Sequence, residues 1–476
     1  MVTHLDRRGL AITVASATAA RLFDVTVDSF LGHRADCGAK LAETLAADPE
    51  FLLALCLRGF AAKLLARREL DDDARQSLST ARASARARGA TSRELAYVAA
   101  LQAWCDDDMR GAGELLSAVL SRDPLDALAI KLHHAVHFMI GDRRAMLGTL
   151  RRALEAWDEN VAGFGYVLGC FAFALEEAGA YDRSERLGRR ACELNPADIW
   201  AIHAVTHVFE MRGEPRAGLR WIAARSAALA GCNNLIFHLA WHRALFHLAL
   251  DEPRRALLLY DTEIRASESE DYRDIANAAS LLWRLEQGGV AVGARWRELA
   301  DKATAQLGDP SLAFASLHRL LSLLGDDRRT AAETLLCSLR LQAKRRRGTQ
   351  PAILDAVGIA VAEAVLAAKC GQHGRVVDLL FPIRRRIVLI GGSNAQRDII
   401  AQLLIDAAIR ADRRGETLIL LRERARARPR DGWAASRSAR LGAPSDDRPQ
   451  GANRPYRNEA LIPADGAGGL SPDRPA

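Results

Sequence analysis

The chain has 476 residues, of which 49% are hydrophobic, 26% charged and 6% aromatic. Rich in Ala, Leu and Arg, it can bury a large core and favours helices over sheets. The 66 Lys and Arg against 59 Asp and Glu leave a formal charge of +7 spread along the chain, which excludes the concentrated basic face of a nucleic-acid binder.

The runs Lys344–Arg347, Arg384–Arg386 and Arg422–Arg430 read as solvated loops and helix ends. Eight isolated cysteines with no C-x-x-C spacing point to reduced thiols and a cytoplasmic location. Arg7-Arg8 before GLAITVASATAA imitates a secretory signal. It runs directly into the amphipathic RLFDVTVDSFL, so a retained first helix is expected. No uncharged apolar run of about 18 residues appears, and no membrane helix is expected.

Leu22, Phe23, Val27, Phe30 and Leu31 have helical spacing, as expected over residues 10–70. Asp48-Pro49 reads as a capped helix start, and Asp71-Asp72-Asp73 as another. From Ser92 helices come in pairs. The turns inside successive pairs centre on Asp107, Gly141, Gly179, Gly213 and Asp251, spaced 34, 38, 34 and 38 residues apart. A period near 34 is that of a tetratricopeptide helix–turn–helix repeat. The unit ending at Leu194-Asn195-Pro196 fits best: Gly179 turns, and small Ser184 and Ala191 let its second helix lie close. Such units cover one another's apolar faces only by stacking, which predicts an all-α solenoid over 1–429. Residues 343–351 read as an exposed loop. From 430 to 476 Pro, Gly, Ser, Asp and Arg take over, and a disordered tail is expected.

The densest polar set lies in the middle units. His203 and His207 are spaced i,i+4, with Glu210 a turn on, and His238 and His242 repeat the spacing one unit later. Counted from the mid-repeat turns, these five and Glu177 fall on the inner groove, while His247 falls on the packed face. Two such His pairs on adjacent helices can close a divalent metal site. They can equally do acid–base work, or fill and hydrogen-bond a closed groove. No H-E-x-x-H motif singles out a metal, and no cofactor is otherwise expected. In IGGSNAQRD, Ser393 and Gln396 form a capping box after two glycines, with Arg397 and Asp398 next. That helix start could hold an anion or serve structure alone; lacking a Lys, it is no phosphate loop. His134 could reach the groove, and His318 reads as a core histidine.

These segments resemble the tetratricopeptide repeat protein 38 family up to about residue 425. The resemblance rests on RLFD, ADPEF, AIKLHHAVHF, WAIHAVTHVFEM, HLAWHRALFHL with Trp241, FASLH and PIRRRIVLIGGSNAQRD. It implies a soluble helical-repeat protein. Leu55, Tyr97, Ala135 and Ser316 stand where that pattern implies further His or Asp. The expected function is binding of a peptide or small ligand in the His/Glu-lined groove, with no nucleic acid or membrane partner. A metal-dependent, hydrolase-like enzyme is the alternative. The sequence carries no signal of oligomeric state.

Overall fold

The computed structural model describes residues 3–308, 312–345 and 347–440. The chain starts as a β-hairpin, β1 (Thr3–Leu5) antiparallel to β2 (Ala11–Thr13), so residues 11–13 are extended and not helical. The hairpin is held from outside its own span: Glu94 accepts from the Thr13 amide at 2.7 Å and from its hydroxyl at 2.9 Å. Helix α1 (Ala17–Leu31) follows, capped by the Ser16 hydroxyl.

From there the chain is an all-α solenoid of antiparallel helix pairs. The inner helices that frame its interior are α2 (Ala127–Met139), α3 (Phe164–Glu177), α4 (Ile199–Arg212), α5 (Leu235–Ala249), α6 (Tyr272–Gln287), α7 (Ala313–Gly325) and α8 (Asn394–Arg410). Then come α9 (Arg414–Ala427) and α10 (Gly432–Arg440).

The turns named from spacing share one conformation. Asp107, Gly141, Gly179, Gly213 and Asp251 all have φ between +60 and +82°. Gly289, Asp327, Gly371 and Asp412 continue the series to the C-terminus. A left-handed residue at that point reverses the chain, and Gly and Asp tolerate it best. The small-residue face of the helix Tyr181–Leu194 is packed as expected. Ser184 and Ala191 are fully buried, and the Ser184 hydroxyl donates to the Ala172 carbonyl at 2.7 Å.

The solenoid closes on itself. Helix α8 packs across both α4 and α6. On the other side, the amide of Asn233 donates to the His33 carbonyl at 2.7 Å, joining segments 200 residues apart. The inner groove is therefore covered by the chain's own segments, around His33 on one side and α8 on the other. Helix α4 shows the result: only Trp200, Glu210 and Arg212 escape full burial between Ile199 and Arg212.

Three local expectations change. Asp48 ends the helix Cys37–Ala47, and the next begins at Leu52. Its carboxylate is taken by Arg88 and the Ala15 amide instead. Thr349 and Gln350 are buried at the start of a helix, where Gln350 accepts from the Ala313 amide at 2.9 Å. Thr349–Lys369 is long and apolar enough to cross a membrane, with 56% of its most apolar window buried inside the molecule. Residues 432–440, expected in the tail, form α10, where Arg437 pairs with Asp406 at 2.6 Å. The rest of that tail, 441–476, lies outside the described residues.

Gly213 tests the closure. A Cβ there would lie 2.5 Å from the Arg430 carbonyl oxygen, at φ +69°. Gly213→Ala is expected to lower stability by about 1–3 kcal/mol in urea unfolding; an unchanged midpoint would mean that the C-terminal segment does not pack there.

Candidate metal centre

Asp198 caps α4, accepting from the amides of Trp200 and Ala201, and Gly213 ends it. This fixes His203 and His207 on one face, one turn apart. Helix α5 sets His238 and His242 opposite them. The four imidazoles are buried, and one nitrogen from each lies within 4.8 Å of one nitrogen from every other. The Nε2 atoms of His203 and His207 are 2.8 Å apart. Across the two helices, the His207 and His242 rings lie 4.4 Å apart and the His203 and His238 rings 4.9 Å. A tetrahedral ion with bonds of about 2.0–2.1 Å holds its nitrogens about 3.3 Å apart.

The protonation states suit a cation, while Lys131 and Arg428 bring positive charge near it. Burial in an apolar shell lowers the pKa of His203, His207 and His242 well below 6.5, and that of His238 to about 4. At neutral pH all four are uncharged, the form that ligates. The His238 Nδ1–H donates to Asn277 Oδ1 at 2.8 Å, which leaves the Nε2 lone pair free for the cluster. His207 turns its Nδ1 to Glu176 Oε2, 3.5 Å away. Carboxylates and amides placed behind ligand imidazoles fix ring orientation and raise basicity. Trp241 stacks on His238 at 5.1 Å and Phe173 on His203 at 5.4 Å, walling the cluster from solvent.

Several of these groups have no hydrogen-bond partner among the described residues: both nitrogens of His242, Nδ1 of His203 and His207, and both oxygens of Glu176. Each such buried atom costs about 1–3 kcal/mol. A bound cation takes one nitrogen from each imidazole and so gives the otherwise unpartnered His242 ring a partner.

Asn277→Leu removes the acceptor behind His238. It is expected to weaken metal affinity about 10–100-fold, read by competition with a chelator of known affinity. Undiminished affinity would remove Asn277 from the site.

The other residues expected in the groove divide into separate groups. Glu177 receives the Arg397 guanidinium at 2.8 Å and the Asn394 amide, and with Glu176 and His207 forms a second close carboxylate–imidazole group. Glu210 pairs with Arg428 at 3.1 Å, with burial raising its pKa. Ser393 and Gln396 form the capping box of α8. Arg397 also binds the Gly391 and Gly392 carbonyls, which holds the glycine turn. Asp398 binds Arg424 and Gln402. This motif closes the structure over α3 and α4, and the Glu177 carboxylate takes the Asn394 amide at the helix start. His134 is buried against Phe173 and Trp200, outside the four-histidine group. His318 donates Nδ1–H to the Phe314 carbonyl at 2.8 Å and lines a separate apolar cavity with Gln396 and Arg397. Tyr97, where the family pattern implies His, donates to Asp126 at 2.7 Å, and Leu55 is core.

Sequence reasoning missed Glu176, Asn277, Lys131 and Trp200. Trp200 had a usable signal, since it lies three residues before His203 and shares its face. Glu176 was displaced by its neighbour: a count from Gly179 that is one residue off exchanges the two glutamates.

No family model matches the chain. Solved structures similar to it include the APC/C hetero-tetramer Cut9–Hcn1, at 13% identity over 89% of this chain and 75% of that one, TM-score 0.43. The human IFIT1 dimer with PPP-AAAA is similar at 14% identity, over 91% and 96%, TM-score 0.40. Naa15/Naa10 bound to HypK-THB follows at 12%, over 89% and 66%, TM-score 0.25. The fold rests on the helix pairs and turns of the chain itself.

Proposed function

We propose that this chain is a helical-repeat scaffold whose interior binds one divalent first-row transition ion, zinc foremost, through His203, His207, His238 and His242. One observation carries the reading: four buried, neutral imidazoles converge within 4.8 Å. All-nitrogen, four-coordinate sets suit zinc and copper and give magnesium or calcium nothing hard to bind. Burial of these side chains narrows the expected groove ligand from a peptide to an ion or very small molecule. The resemblance to the tetratricopeptide repeat protein 38 family belongs to the same proposal. Its WxxHxxxHxxEM and HxxWH segments supply the ligands, and GGSNAQRD closes over them. Protein partners would use the outer helices, in a reducing compartment that suits eight unpaired thiols.

A metal-dependent hydrolase is the second reading, favoured by Glu176, whose carboxyl lies beside His207 with both oxygens unpartnered. A carboxylate there could take a proton from a metal-bound water.

The test is titration of metal-free protein with zinc, copper, iron, nickel and manganese ions, followed by desalting and elemental analysis. One equivalent of retained metal is expected. No stoichiometric uptake of any of them removes both readings. X-ray absorption showing four nitrogens and no oxygen removes the hydrolase.

A further inference from the structure

Beside the four histidines lies a set of polar groups that the metal reading does not use. Lys131, on α2, is 5% exposed, and its Nζ has no hydrogen-bond partner among the described residues. It stands 4.5 Å from the centre of the Trp200 ring. The Trp200 Nε1–H is also buried without a partner, as are both nitrogens of His134 and the Nε2 of His33. Trp200 is the hub of this group. Its ring lies 5.5 Å from His134, 5.3 Å from His33 and 4.9 Å from the metal ligand His203.

Two independent counts point to the missing complement. The first is of donors. An ammonium offers three protons, an indole one and a neutral imidazole one, while Asp198 Oδ2 is the unpartnered carboxylate oxygen of this α4 end. Unpartnered donors outnumber acceptors, so the complement is rich in acceptor oxygens. The second count is of charge. A divalent ion on four neutral imidazoles keeps its full charge, and Lys131 adds another. Glu177 is already committed to Arg397, which leaves Glu176 and Asp198, both with pKa values raised by burial, to oppose three positive charges. Uncompensated charge in a buried site costs several kcal/mol per ion, so a negative ligand is stabilised there. Trp200 and His33, both half-buried and stacked, form the outer wall between this seat and solvent.

We propose that the interior takes a small oxyanion, a carboxylate or phosphate group of an acidic small molecule, seated between Lys131, the Trp200 indole N–H and the four-histidine ion. This rests on the metal reading above, and the test separates the two.

Zinc-loaded full-length protein, freed of unbound zinc, is unfolded thermally in sodium acetate, sodium phosphate or sodium chloride at matched ionic strength. Acetate, phosphate or both are expected to raise the midpoint above chloride. Which of them does so tells a carboxylate seat from a phosphate seat. Lys131→Met is expected to weaken that anion's binding roughly 10–100-fold. It should still take one equivalent of zinc, and without anion unfold at the same midpoint or higher, because an unpartnered buried ammonium is gone. Trp200→Phe, which deletes only the indole donor, should reduce the response partly. The proposal is overturned if neither anion exceeds chloride, or if Lys131→Met responds as the wild type does. Zinc content is measured in the same samples. Zinc uptake without an anion response removes the seat and keeps the metal. An anion response that needs Lys131 in protein that takes no zinc keeps the seat and removes the metal.

Discussion

Asp398→Ala is expected to destabilise the protein by roughly 3–5 kcal/mol, measured as a lowered urea midpoint with little change in slope. Asp398 lies near the start of α8, buried, with Arg424 across both its oxygens and Gln402 at 2.8 Å. The Arg428 Nε stands 3.6 Å away, and Arg428 reaches on to Glu210 of α4. Truncation leaves guanidinium groups of low exposure short of their main counter-charge, and removing one partner of a buried pair costs far more than the pair contributes. The pH dependence supplies a second check. Burial alone would raise the Asp398 pKa; the Arg424 and Arg428 guanidiniums override it and hold it far below the usual carboxylate range. A carboxyl depressed in the folded state stabilises above its unfolded value, near 3.8, and that stability is lost as pH falls below it. Wild type should therefore lose stability below about pH 4 more steeply than the variant. A loss under about 1 kcal/mol, or parallel acid profiles, would mean that this network does not hold the closure.

The repeat scaffold was readable because its signals are local. A left-handed turn favours Gly and Asp, so Gly141, Gly179, Gly213 and their counterparts mark the pairs from Ser92 onward. The two His pairs were readable for the same reason: i,i+4 spacing places both rings on one face of any helix. That α4 and α5 bring those faces together follows from stacking of successive inner helices. Features that depend on distant segments were not readable. Whether the groove is open depends on where α8 lands after some 180 further residues, and nothing in WAIHAVTHVFEM records it. Asn277 entered the site from a third helix, without a spacing rule to announce it. Helix α4 is apolar on nearly every side, so periodicity does not say which of its faces meets a neighbour. Asp48 looked like a cap because Asp-Pro often is one; Arg88, 40 residues away, took its carboxylate.

His242→Leu is expected to separate a metal site from a structural cluster by changing sign with zinc. His242 is fully buried, and neither ring nitrogen has a hydrogen-bond partner among the described residues. In metal-free protein, replacing an unsatisfied polar ring with an apolar side chain is nearly neutral or stabilising. The unfolding free energy of the metal-free variant should thus match or exceed wild type within about 1 kcal/mol. With zinc at about a thousand times its dissociation constant, wild type gains about 4 kcal/mol, and the variant, short of one ligand, gains little. The two proteins exchange order when zinc is added. A cluster kept for packing predicts the reverse, a loss of about 2–5 kcal/mol in metal-free protein and no zinc response in either. Acid adds a further distinction. Burial holds the His242 pKa well below 6.5, while the unfolded chain takes up its proton near 6.5. A depressed folded pKa stabilises above 6.5 and loses that contribution as pH falls below it. Metal-free wild type should therefore lose up to about 1.4 kcal/mol more than the variant for each pH unit below 6.5. Profiles that fall together would mean that His242 takes up its proton as readily in the folded protein as in the unfolded chain, against its burial.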